Sequence, residues 1–413
     1  MSSGGGAPPA PARGGRAVDL AVIGAGVFGL WTAKRAVEAG LSVAVIEARA
    51  VGAGASGGVL GALMPHAPDR WNAKKQFQLD ALAALEPAAR ALEAETGRAT
   101  GYGRVGRWAP IRTPGFHAQA LRRAEGAARL WRAGGRAFRA APEAPPAGAG
   151  AAWLDPEAAP LGVLADDLSA RLDPRATLAA LAAWLRPRAR LIEGARVSGL
   201  SGRGLALEGG GPDAALGPAG AVALAAGHEG FALAARWFGR PIGGGVKGQA
   251  AVFAPAAASA SASADPQAAR PLIYEDGVYV VPHADGRVAV GSTTVREWRG
   301  APDAPDLDDV GFLERAQALC PALRGRAPDA WWAGVRPRSR WRDPLIGRAP
   351  EAAAPAGAPP IHLAMGGYKI GFGVAHRAAE ALVAEMIGVD GPALPEAFRA
   401  DLRLAEPPPA AGA

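Results

Sequence analysis

Two apolar runs close to the start of the chain flank a stretch with helical periodicity. Residues 20–23 are all apolar, and residues 41–46 are apolar except for Ser42. Between them, residues 30–39 place their apolar side chains on one face of a helix, which Gly40 ends. Short continuous apolar runs are typical of buried parallel strands. The pattern therefore predicts a strand, a helix and a second strand that is parallel to the first.

Similar patterns continue along most of the chain. The apolar run at 221–227 predicts a third buried strand, which ends in a glycine. Two β-rich runs within 277–293 are joined by an Ala-Asp-Gly turn, which predicts a hairpin. Helices are predicted at about 70–96 and from 373 to about 387. The sequence contains no repeat of fixed period, so the pattern predicts a globular fold rather than a solenoid.

The composition is that of an ordinary globular protein. The chain has 413 residues, enough for two domains with substantial cores. Hydrophobic residues make up 49% and charged residues 20% of the sequence. The formal net charge is +7, but the arginines that carry it are scattered among alanine-rich segments and form no basic stripe. The sequence therefore argues against a nucleic-acid partner.

The termini and the cysteine content bear on where the protein resides. Residues 1–16 are rich in Gly, Pro, Ala and Ser and lack the apolar core of a signal peptide, so we predict a disordered tail. No run of about 18 apolar residues, which a membrane span needs, occurs in the sequence. The single cysteine, Cys320, excludes an internal disulfide framework and favours a buried structural thiol. We expect a cytoplasmic protein with no membrane span.

The turn between the first strand and the first helix carries the pattern G-x-G-x-x-G. In such a turn Gly24 allows the tight bend, Gly26 lets the backbone approach a pyrophosphate, and Gly29 allows close packing of helix and strand. The N–H groups at the helix start bind phosphate charge. Glu47 closes the second strand about 20 residues later, where a carboxylate accepts hydrogen bonds from a ribose. These features predict an adenine dinucleotide site and leave FAD and NAD open.

Further motifs follow the glycine turn in a definite order. They are Gly-Ala-Ser-Gly-Gly at 54–58, Ala-Ala-Gly at 225–227, Lys-Gly-Gln at 247–249, Tyr-Val-Val-Pro at 279–282, Val-Gly-Ser-Thr at 290–293, Gly-Val-Arg-Pro at 334–337, Pro-Leu-Ile-Gly at 344–347 and a glycine motif at 366–373. Together with the glycine turn, they resemble the D-amino-acid oxidase (DAO) family of FAD-dependent oxidoreductases, most closely its glycine oxidase and sarcosine oxidase branch. The resemblance covers roughly residues 18–390.

The resemblance implies an α/β fold with two interleaved domains. One is a discontinuous, Rossmann-like FAD-binding domain of the glutathione-reductase type, and the other is an α+β substrate domain built on a mixed sheet. The expected boundaries are 17–85, 151–230 and 334–402 for the FAD-binding domain, 86–150 and 231–333 for the substrate domain, and 1–16 and 403–413 for disordered tails.

The resemblance also implies a chemistry. A hydride from the carbon next to an amine passes to flavin N5, which gives an imine that water hydrolyses. The expected substrate is a small amino acid or N-methylated amino acid, and the electron acceptor is oxygen or another, unidentified molecule. Some sarcosine oxidases tether FAD through a cysteine, but Cys320 lies in a different segment, so we expect non-covalent FAD. A homo-oligomer is left open.

Three residues match catalytic positions of the family. Arg336 matches the arginine that binds the substrate carboxylate, for which a planar bidentate fork is suited. Tyr279 matches a tyrosine that bonds the same carboxylate, and Lys369 stands where the branch carries a basic residue near the flavin edge. The alternatives are a surface salt bridge for Arg336, half-buried packing for Tyr279 and a solvated loop lysine for Lys369.

Other residues match cofactor-binding positions of the family, and no metal site is expected. Two positions leave their role open: Thr294 stands where the glycine oxidase branch has an apolar substrate contact, and His66 could face the flavin or be structural. The expected FAD-binding residues are Gly24, Gly26, Val27, Phe28, Gly29, Glu47, Ser56, Gly61, Ala62, Leu63, Val197, Gly227, Ile370 and Gly371.

Two other functions remain open from the sequence. One is a flavin-binding subunit of a larger oxidoreductase with little activity alone. The other is a flavin-dependent enzyme of tRNA modification, because related folds occur in such enzymes and the chain is basic. Convergence of Arg336 and Tyr279 on one cavity would favour the amine oxidase or dehydrogenase.

Overall fold

The computed structural model describes residues 18–201, 204–211, 216–255 and 270–405. The tail predicted at 1–16 and residues 406–413 of the second predicted tail lie outside these ranges. Residues 403–405 are a correction, because they belong to the short helix Ala400–Ala405. Within the described ranges, no helix has both the length and the apolar composition needed to cross a bilayer.

Helix starts follow local capping rules. The carboxylate of Asp173 accepts a hydrogen bond from the Ala176 N–H at 2.9 Å, and Pro174 occupies the first helical position, where its missing N–H costs nothing. The Asn72 side chain caps the longest helix by accepting from the Lys75 N–H at 3.2 Å. The α-helices of the described residues are α1 Val27–Glu38, α2 Ala73–Thr96, α3 Pro114–Leu130, α4 Pro174–Leu185, α5 Glu229–Phe238, α6 Gly311–Leu319, α7 Gly371–Ile387 and α8 Ala400–Ala405.

The described strands form a six-stranded sheet, an eight-stranded sheet and three two-stranded ribbons. In chain order they are β1 Val18–Ile23, β2 Val43–Ile46, β3 Ala62–Leu63, β4 Arg107–Pro110, β5 Arg132–Ala133, β6 Arg136–Ala137, β7 Ala140–Glu143, β8 Val163–Asp166, β9 Ala170–Arg171, β10 Arg190–Ile192, β11 Ala195–Ser201, β12 Gly204–Gly209, β13 Ala219–Leu224, β14 Gly243–Phe253, β15 Leu272–Glu275, β16 Val278–Pro282, β17 Val288–Gly291, β18 Ala330–Ser339, β19 Leu345–Arg348 and β20 Ile361–Met365. The predicted β–α–β start, the third buried strand, the hairpin and the two helices are confirmed.

The six-stranded sheet has the order β10-β2-β1-β13-β20-β19 and is parallel except for β19. Both of its faces are covered. Leu20 and Val22 of β1 pack with α1, α4 and α7, while Ala21 and Ile23 pack with α5 on the other side. This double burial explains why the strand is a continuous apolar run instead of an alternating one.

The eight-stranded sheet is mixed and has the order β18-β14-β17-β16-β15-β4-β8-β7. Its longest pairing is the antiparallel one between β14 and β18, which extends from Gly243 opposite Ser339 to Val252 opposite Ala330. The contact between β15 and β4 is parallel. The predicted α/β fold, with a mostly parallel sheet and a second, mixed sheet that alternate along the chain, is therefore confirmed.

The sheet to which each strand belongs agrees with most of the predicted domain boundaries. Strands β8 and β18 are the exceptions. All strands of the six-stranded sheet lie within 17–85, 151–230 and 334–402. Strand β8 lies in the second of these parts, yet it pairs with β4 and β7 of the larger sheet. Strand β18 runs across the predicted boundary at 333–334. The boundaries stay a prediction, and β8 and all of β18 fit the substrate domain better.

A histidine lies in the core of the smaller sheet's helical layer. His376 of α7 is buried, and its ring lies 5.9 Å from the Trp31 ring of α1. Burial, together with the positive charges of Arg35 and Arg377, lowers the pKa of His376 to about 3. The folded protein therefore holds this ring neutral over a pH range in which the unfolded chain protonates it.

The buried histidine predicts acid sensitivity. Below about pH 6.5, the unfolded chain binds a proton at His376 that the folded protein does not, so stability falls by about 1.4 kcal/mol per pH unit. We expect His376→Leu to lose less stability between about pH 6.5 and pH 5 than the parent. Urea unfolding at several pH values measures the slopes. A residual slope from His362, whose pKa burial lowers to about 4, is expected in both proteins. Equal slopes would contradict the prediction.

Candidate active site

The turn between β1 and α1 depends on two glycines. Gly24 has a φ of 105°, in the left-handed region that favours glycine, and a Cβ there would lie 2.6 Å from the carbonyl oxygen of Ala225. A Cβ on Gly29 would lie 1.9 Å from the carbonyl oxygen of Gly24. Helix α1 and strand β13 can therefore approach the turn only because these side chains are missing.

The N-terminus of α1 is open to an anion. Its N-cap residue, Gly26, makes no side-chain cap, and the first turn contains no acidic residue. The Val27 N–H donates to the Ser56 hydroxyl at 3.1 Å, which brings the 54–58 segment over the helix start. The helix dipole and the uncapped N–H groups favour a phosphate at this position.

Three predicted cofactor residues lie at the carboxyl-terminal edge of the six-stranded sheet. The Glu47 carboxylate accepts the Ala25 N–H at 2.9 Å, so it lies beside the glycine turn. The Glu47 carbonyl oxygen accepts the N–H of Ala195, the first residue of β11, and the pairing of β11 becomes irregular just after Val197. Gly227 follows β13 with a φ of 59°. An edge of this kind is where open α/β sheets bind nucleotides.

A cavity of about 880 Å³ extends from α1 to the larger sheet. Its size suits a flavin ring together with a small substrate, since ligand cavities are typically 300–1,000 Å³. Gly24, Gly26, Gly29, Glu47, Val197 and Gly227 do not line it. The predicted site residues that do line it are Val27, Phe28, Ser56, Gly61, Ala62, Leu63, Tyr279, Arg336, Lys369, Ile370 and Gly371.

A second helix start faces this cavity. Helix α7 begins at Gly371, and its N-cap residue, Ile370, makes no side-chain cap. The preceding loop lies against α1, because a Cβ on Gly367 would be 2.4 Å from the Phe28 ring. The helix dipole of α7 therefore adds positive potential at the cavity wall, where it would stabilise negative charge on a bound group.

Arg336 is buried at the cavity wall, where only 8% of its surface is exposed. Its Nη1 donates to the Thr293 carbonyl oxygen at 3.1 Å, and no acidic side chain of the described residues forms an ion pair with it. Burial lowers its pKa. An arginine keeps its charge in proteins even so. The alternative of a surface salt bridge does not fit this position.

Tyr279 and Tyr274 lie directly opposite each other on the β15–β16 hairpin, with ring centroids 4.9 Å apart and ring planes tilted by 55°. Burial raises the pKa of Tyr279 to about 12, the nearby Tyr274 adds to the rise, and the charges of Arg336 and Arg107 oppose it. The phenol therefore stays protonated at neutral pH and is able to donate a hydrogen bond to an anion in the cavity.

Lys369 lines the cavity from the loop before α7, and its side chain is exposed. Partial desolvation lowers its pKa, and the positive charge of Arg336 lowers it further. Its Nζ lies 5.7 Å from the centre of the Tyr368 ring. Within the part of the chain that the structure describes, Lys369 forms no ion pair with an acidic side chain. Its position at the cavity wall fits the predicted role, and its exposure also fits the alternative of a solvated loop lysine.

Sequence reasoning missed other charged residues of the cavity wall. Arg107, Arg112 and Arg123 line it, and each has an acidic partner from a distant part of the chain. The pairs are Arg107–Asp166 at 2.8 Å, Arg123–Asp69 at 2.9 Å and Arg112–Glu275. Such pairs join separate elements, so no local sequence signal could have identified them. Arg336 and Lys369 differ from these cations in having no acidic partner among the described residues.

Of the two residues whose roles the sequence left open, His66 lines the cavity and Thr294 does not. Thr294 is exposed and does not line the cavity, so its polarity says nothing about the substrate, and Ser292 is the residue of that segment at the wall. His66 does line the cavity, and its main-chain N–H donates to the Gln78 side-chain oxygen at 2.9 Å. The His66 ring contacts the same oxygen, and burial lowers the pKa of His66.

Cys320 lies apart from the cavity. It is buried in the cluster that joins α6 to the larger sheet, and burial raises the pKa of its thiol to about 12. A neutral buried thiol in that cluster does not reach a ligand in the cavity, which supports the expectation of non-covalent FAD. Within the described ranges, no group of three or more His, Cys, Asp or Glu side chains is placed to hold a metal ion.

The residues fit an FAD molecule. The open N-terminus of α1 and Ser56 suit the pyrophosphate, and Glu47 and Val197 lie at the sheet edge where the adenosine belongs. The cavity and the open N-terminus of α7 suit the flavin ring, whose reduced form carries negative charge.

Comparison with known proteins agrees with this fit. The sequence matches the DAO family, described as FAD dependent oxidoreductase, over residues 19–386. Glycine oxidase of Bacillus subtilis strain 168 is 38% identical over 80 residues, which are 19% of this chain and 21% of that protein. The match with this curated relative therefore spans about a fifth of its length.

Solved structures share the fold over almost the whole chain. Glycine oxidase from Geobacillus kaustophilus superposes with a TM-score of 0.73 at 21% identity, covering 91% of this chain and 95% of that one. Iminodiacetate oxidase from Chelativorans sp. BNC1 superposes with a TM-score of 0.72 at 19% identity, covering 92% and 98%. At such identities the similarity is evidence for the fold alone.

The glycine turn predicts a sharp effect of one added methyl group. In Gly29→Ala the new Cβ would overlap the Gly24 carbonyl oxygen, so the turn must open and the N–H groups of α1 move away from the pyrophosphate. We expect FAD affinity to fall at least about tenfold. Flavin absorbance relative to protein measures the bound cofactor. Gly311→Ala at the start of α6 is the control, because a Cβ there meets no atom within 4 Å and α6 does not line the cavity. Full flavin content in Gly29→Ala would contradict the prediction.

Proposed function

Since the chain belongs to the DAO family of FAD-dependent oxidoreductases, we propose that it oxidises the C–N bond of a small amino acid or N-methylated amino acid. The observation that carries the proposal is Arg336, a buried cation on the cavity wall with no acidic partner among the described residues. A buried charge without a partner is costly, and a substrate carboxylate removes that cost. An amino acid brings such a carboxylate with every turnover.

The chain's residues orient the substrate in this proposal. Arg336 binds the carboxylate through its guanidinium fork, and the protonated Tyr279 hydroxyl donates a further hydrogen bond to it. The carboxylate is thereby anchored on the side of the larger sheet, which leaves the amine-bearing carbon directed into the cavity. FAD, when bound, would supply the acceptor for a hydride from that carbon. With loss of a proton from the nitrogen this would leave an imine, which water would hydrolyse to a carbonyl compound and a free amine or ammonia. Lys369 and the N-terminus of α7 would stabilise negative charge on a flavin bound in the cavity.

The charged residues of the cavity wall favour this function over the two alternatives. A flavin-binding subunit without turnover has no need of two cations without acidic partners, Arg336 and Lys369, at the wall of one cavity. For tRNA modification, the arginines Arg107, Arg112 and Arg123 would have to be available to phosphates, but acidic side chains already pair with them.

Anaerobic reduction of the bound flavin tests the proposal. We would mix the FAD-loaded protein with glycine, sarcosine, D-amino acids, L-amino acids or proline and follow loss of the flavin colour. We expect at least one of them to reduce the flavin. Because only the first half-reaction is followed, the result does not depend on whether oxygen or another acceptor reoxidises the flavin. A flavin that dithionite reduces but none of these amines does would contradict the proposal.

Removal of the guanidinium predicts a loss of substrate affinity. In Arg336→Ala the substrate carboxylate loses charge-assisted hydrogen bonds worth about 1.5–3 kcal/mol, so we expect KM to rise roughly 10- to 100-fold. Steady-state or anaerobic kinetics with the best substrate of the panel measure this change. Arg348→Ala, which removes an exposed arginine paired with Glu351, is the control and is expected to leave KM unchanged. An Arg336→Ala protein with the parent's KM would contradict the assignment.

The lowered pKa of Lys369 predicts a pH effect. As pH rises through this pKa, which lies below the ordinary value for lysine, the side chain loses its charge and the cavity loses positive potential. We expect the affinity for acetate to fall at an alkaline pH below about 10.5 in the parent, and to fall later in Lys369→Arg, because arginine stays charged. Titrations of the flavin spectrum with acetate at several pH values measure this. Tyr279 deprotonates at higher pH and does not mask the effect. Identical pH profiles would contradict the prediction.

A further inference from the structure

Two glycines face each other next to Arg336. Gly248 of β14 lies directly opposite Gly334 of β18, and Val246 lies directly opposite Arg336 two residues further along. Directly opposed residues of neighbouring strands share one face of a sheet, and residues two apart on a strand share it too. Gly248, Gly334 and Arg336 therefore lie on the same face, and Gly248 is the diagonal neighbour of Arg336.

Large side chains cover the bare backbone at this glycine pair. A Cβ on Gly248 would lie 1.9 Å from Nη1, 2.2 Å from Nη2 and 2.3 Å from Cζ of Arg336. The guanidinium thus occupies the space that any other residue at 248 would need. A Cβ on Gly334 would lie 2.4 Å from the Trp332 ring in the same way. Both Arg336 and Trp332 line the large cavity.

A second contact completes the position of the guanidinium. Its Nη1 donates to the Thr293 carbonyl oxygen at 3.1 Å, and the Thr293 hydroxyl in turn accepts the N–H of Gln249, the residue after Gly248, at 3.2 Å. Because no acidic side chain of the described ranges pairs with Arg336, its position depends on the contact with Gly248 and on this one carbonyl group. A buried arginine is usually held in place by an ion pair. Here the backbone of Gly248 and the Thr293 carbonyl group hold the guanidinium instead.

We propose that Gly248 is a positioning residue for substrate recognition: the missing side chain lets the Arg336 guanidinium lie flat on β14, with its free N–H groups directed into the cavity. The proposal rests on the proposed role of Arg336 as the carboxylate-binding residue. It assigns a function to the middle residue of the Lys-Gly-Gln motif at 247–249, which sequence reasoning had only counted as part of a resemblance.

An alanine at 248 should move the arginine and leave the strand in place. The backbone of Gly248 is outside the left-handed region, so alanine is compatible with its conformation. The atoms that a Cβ would overlap are the far end of a flexible side chain, which turns away more easily than a backbone moves. The strand pairing of β14 with β17 and β18 is unaffected by the methyl group itself.

The test compares Gly248→Ala with a matched control in the FAD-loaded full-length protein. Gly244→Ala changes the same strand and the same face, but a Cβ at Gly244 meets no atom within 4 Å. The probe is acetate, a carboxylate with no oxidisable amine, followed by its effect on the flavin spectrum, and acetamide is the uncharged comparison. We expect Gly248→Ala to weaken acetate binding at least about tenfold. Acetamide binding in Gly248→Ala, and both probes in Gly244→Ala, should stay within about twofold of the parent.

A double variant separates the positioning role from other effects. If Gly248 acts through Arg336, then adding Gly248→Ala to Arg336→Ala has no further effect on acetate binding. Equal loss in both backgrounds, or parent-like acetate binding by Gly248→Ala, would overturn the proposal while leaving Arg336 as the binding residue. Parent-like acetate binding by Arg336→Ala would instead overturn the proposed function, and the positioning role with it.

A folding defect in Gly248→Ala would also be informative. The overlap is with the guanidinium, so Arg336→Ala should relieve it. We expect the thermal midpoint and the flavin content of the double variant to equal or exceed those of Gly248→Ala alone. A double variant that is less stable than Gly248→Ala would show that residue 248 is needed for the strand itself, which overturns the proposal.

Discussion

A guanidinium held in the wall of a cavity, away from water and without a carboxylate beside it, is the constraint that organises this site. Arg336 keeps one hydrogen bond to a carbonyl group and contact with a bare strand, and the described residues provide no acidic partner. Desolvating a charge without a partner costs several kcal/mol. The folded protein therefore has a buried positive charge at this point that an anion would stabilise. Arg107, Arg112 and Arg123 differ from Arg336 because acidic side chains pair with them, and Lys369 differs from it because its side chain is exposed.

The rest of the fold places Arg336 next to the part of the cavity that fits the flavin. The Pro337 carbonyl oxygen, one residue beyond Arg336 on β18, accepts the Tyr368 N–H at 3.0 Å. The loop at 366–370 in turn packs on Phe28 of α1 and leads into α7. The arginine of the larger sheet, the open start of α7 and the glycine turn of the smaller sheet are thus joined by direct contacts. A substrate bound at Arg336, as proposed, would therefore lie next to the region that fits the cofactor.

The sequence predicts the local elements of this arrangement well, but it does not predict the ion pairs, strand pairings and side-chain contacts that join distant segments. The strand, glycine turn, helix and second strand at 20–46 follow from periodicity and glycine chemistry, which act between near neighbours. Motif order led to Arg336, Tyr279 and Lys369, and all three line one cavity, although their roles remain proposals. The partner of Arg107, the sheet to which β8 belongs and the contact of Arg336 with Gly248 depend on contacts between distant segments. No periodicity or motif encodes such contacts, so they became visible only in the folded chain.

A crystal structure of the FAD-loaded protein with acetate would test the central claim most directly. We expect the acetate carboxylate to bind the free N–H groups of Arg336 at charge-assisted hydrogen-bond distances of about 2.7–2.9 Å, with its methyl group towards the flavin ring and the guanidinium still flat on Gly248. Acetate bound elsewhere in the cavity, with Arg336 turned away to a protein carboxylate, would contradict it.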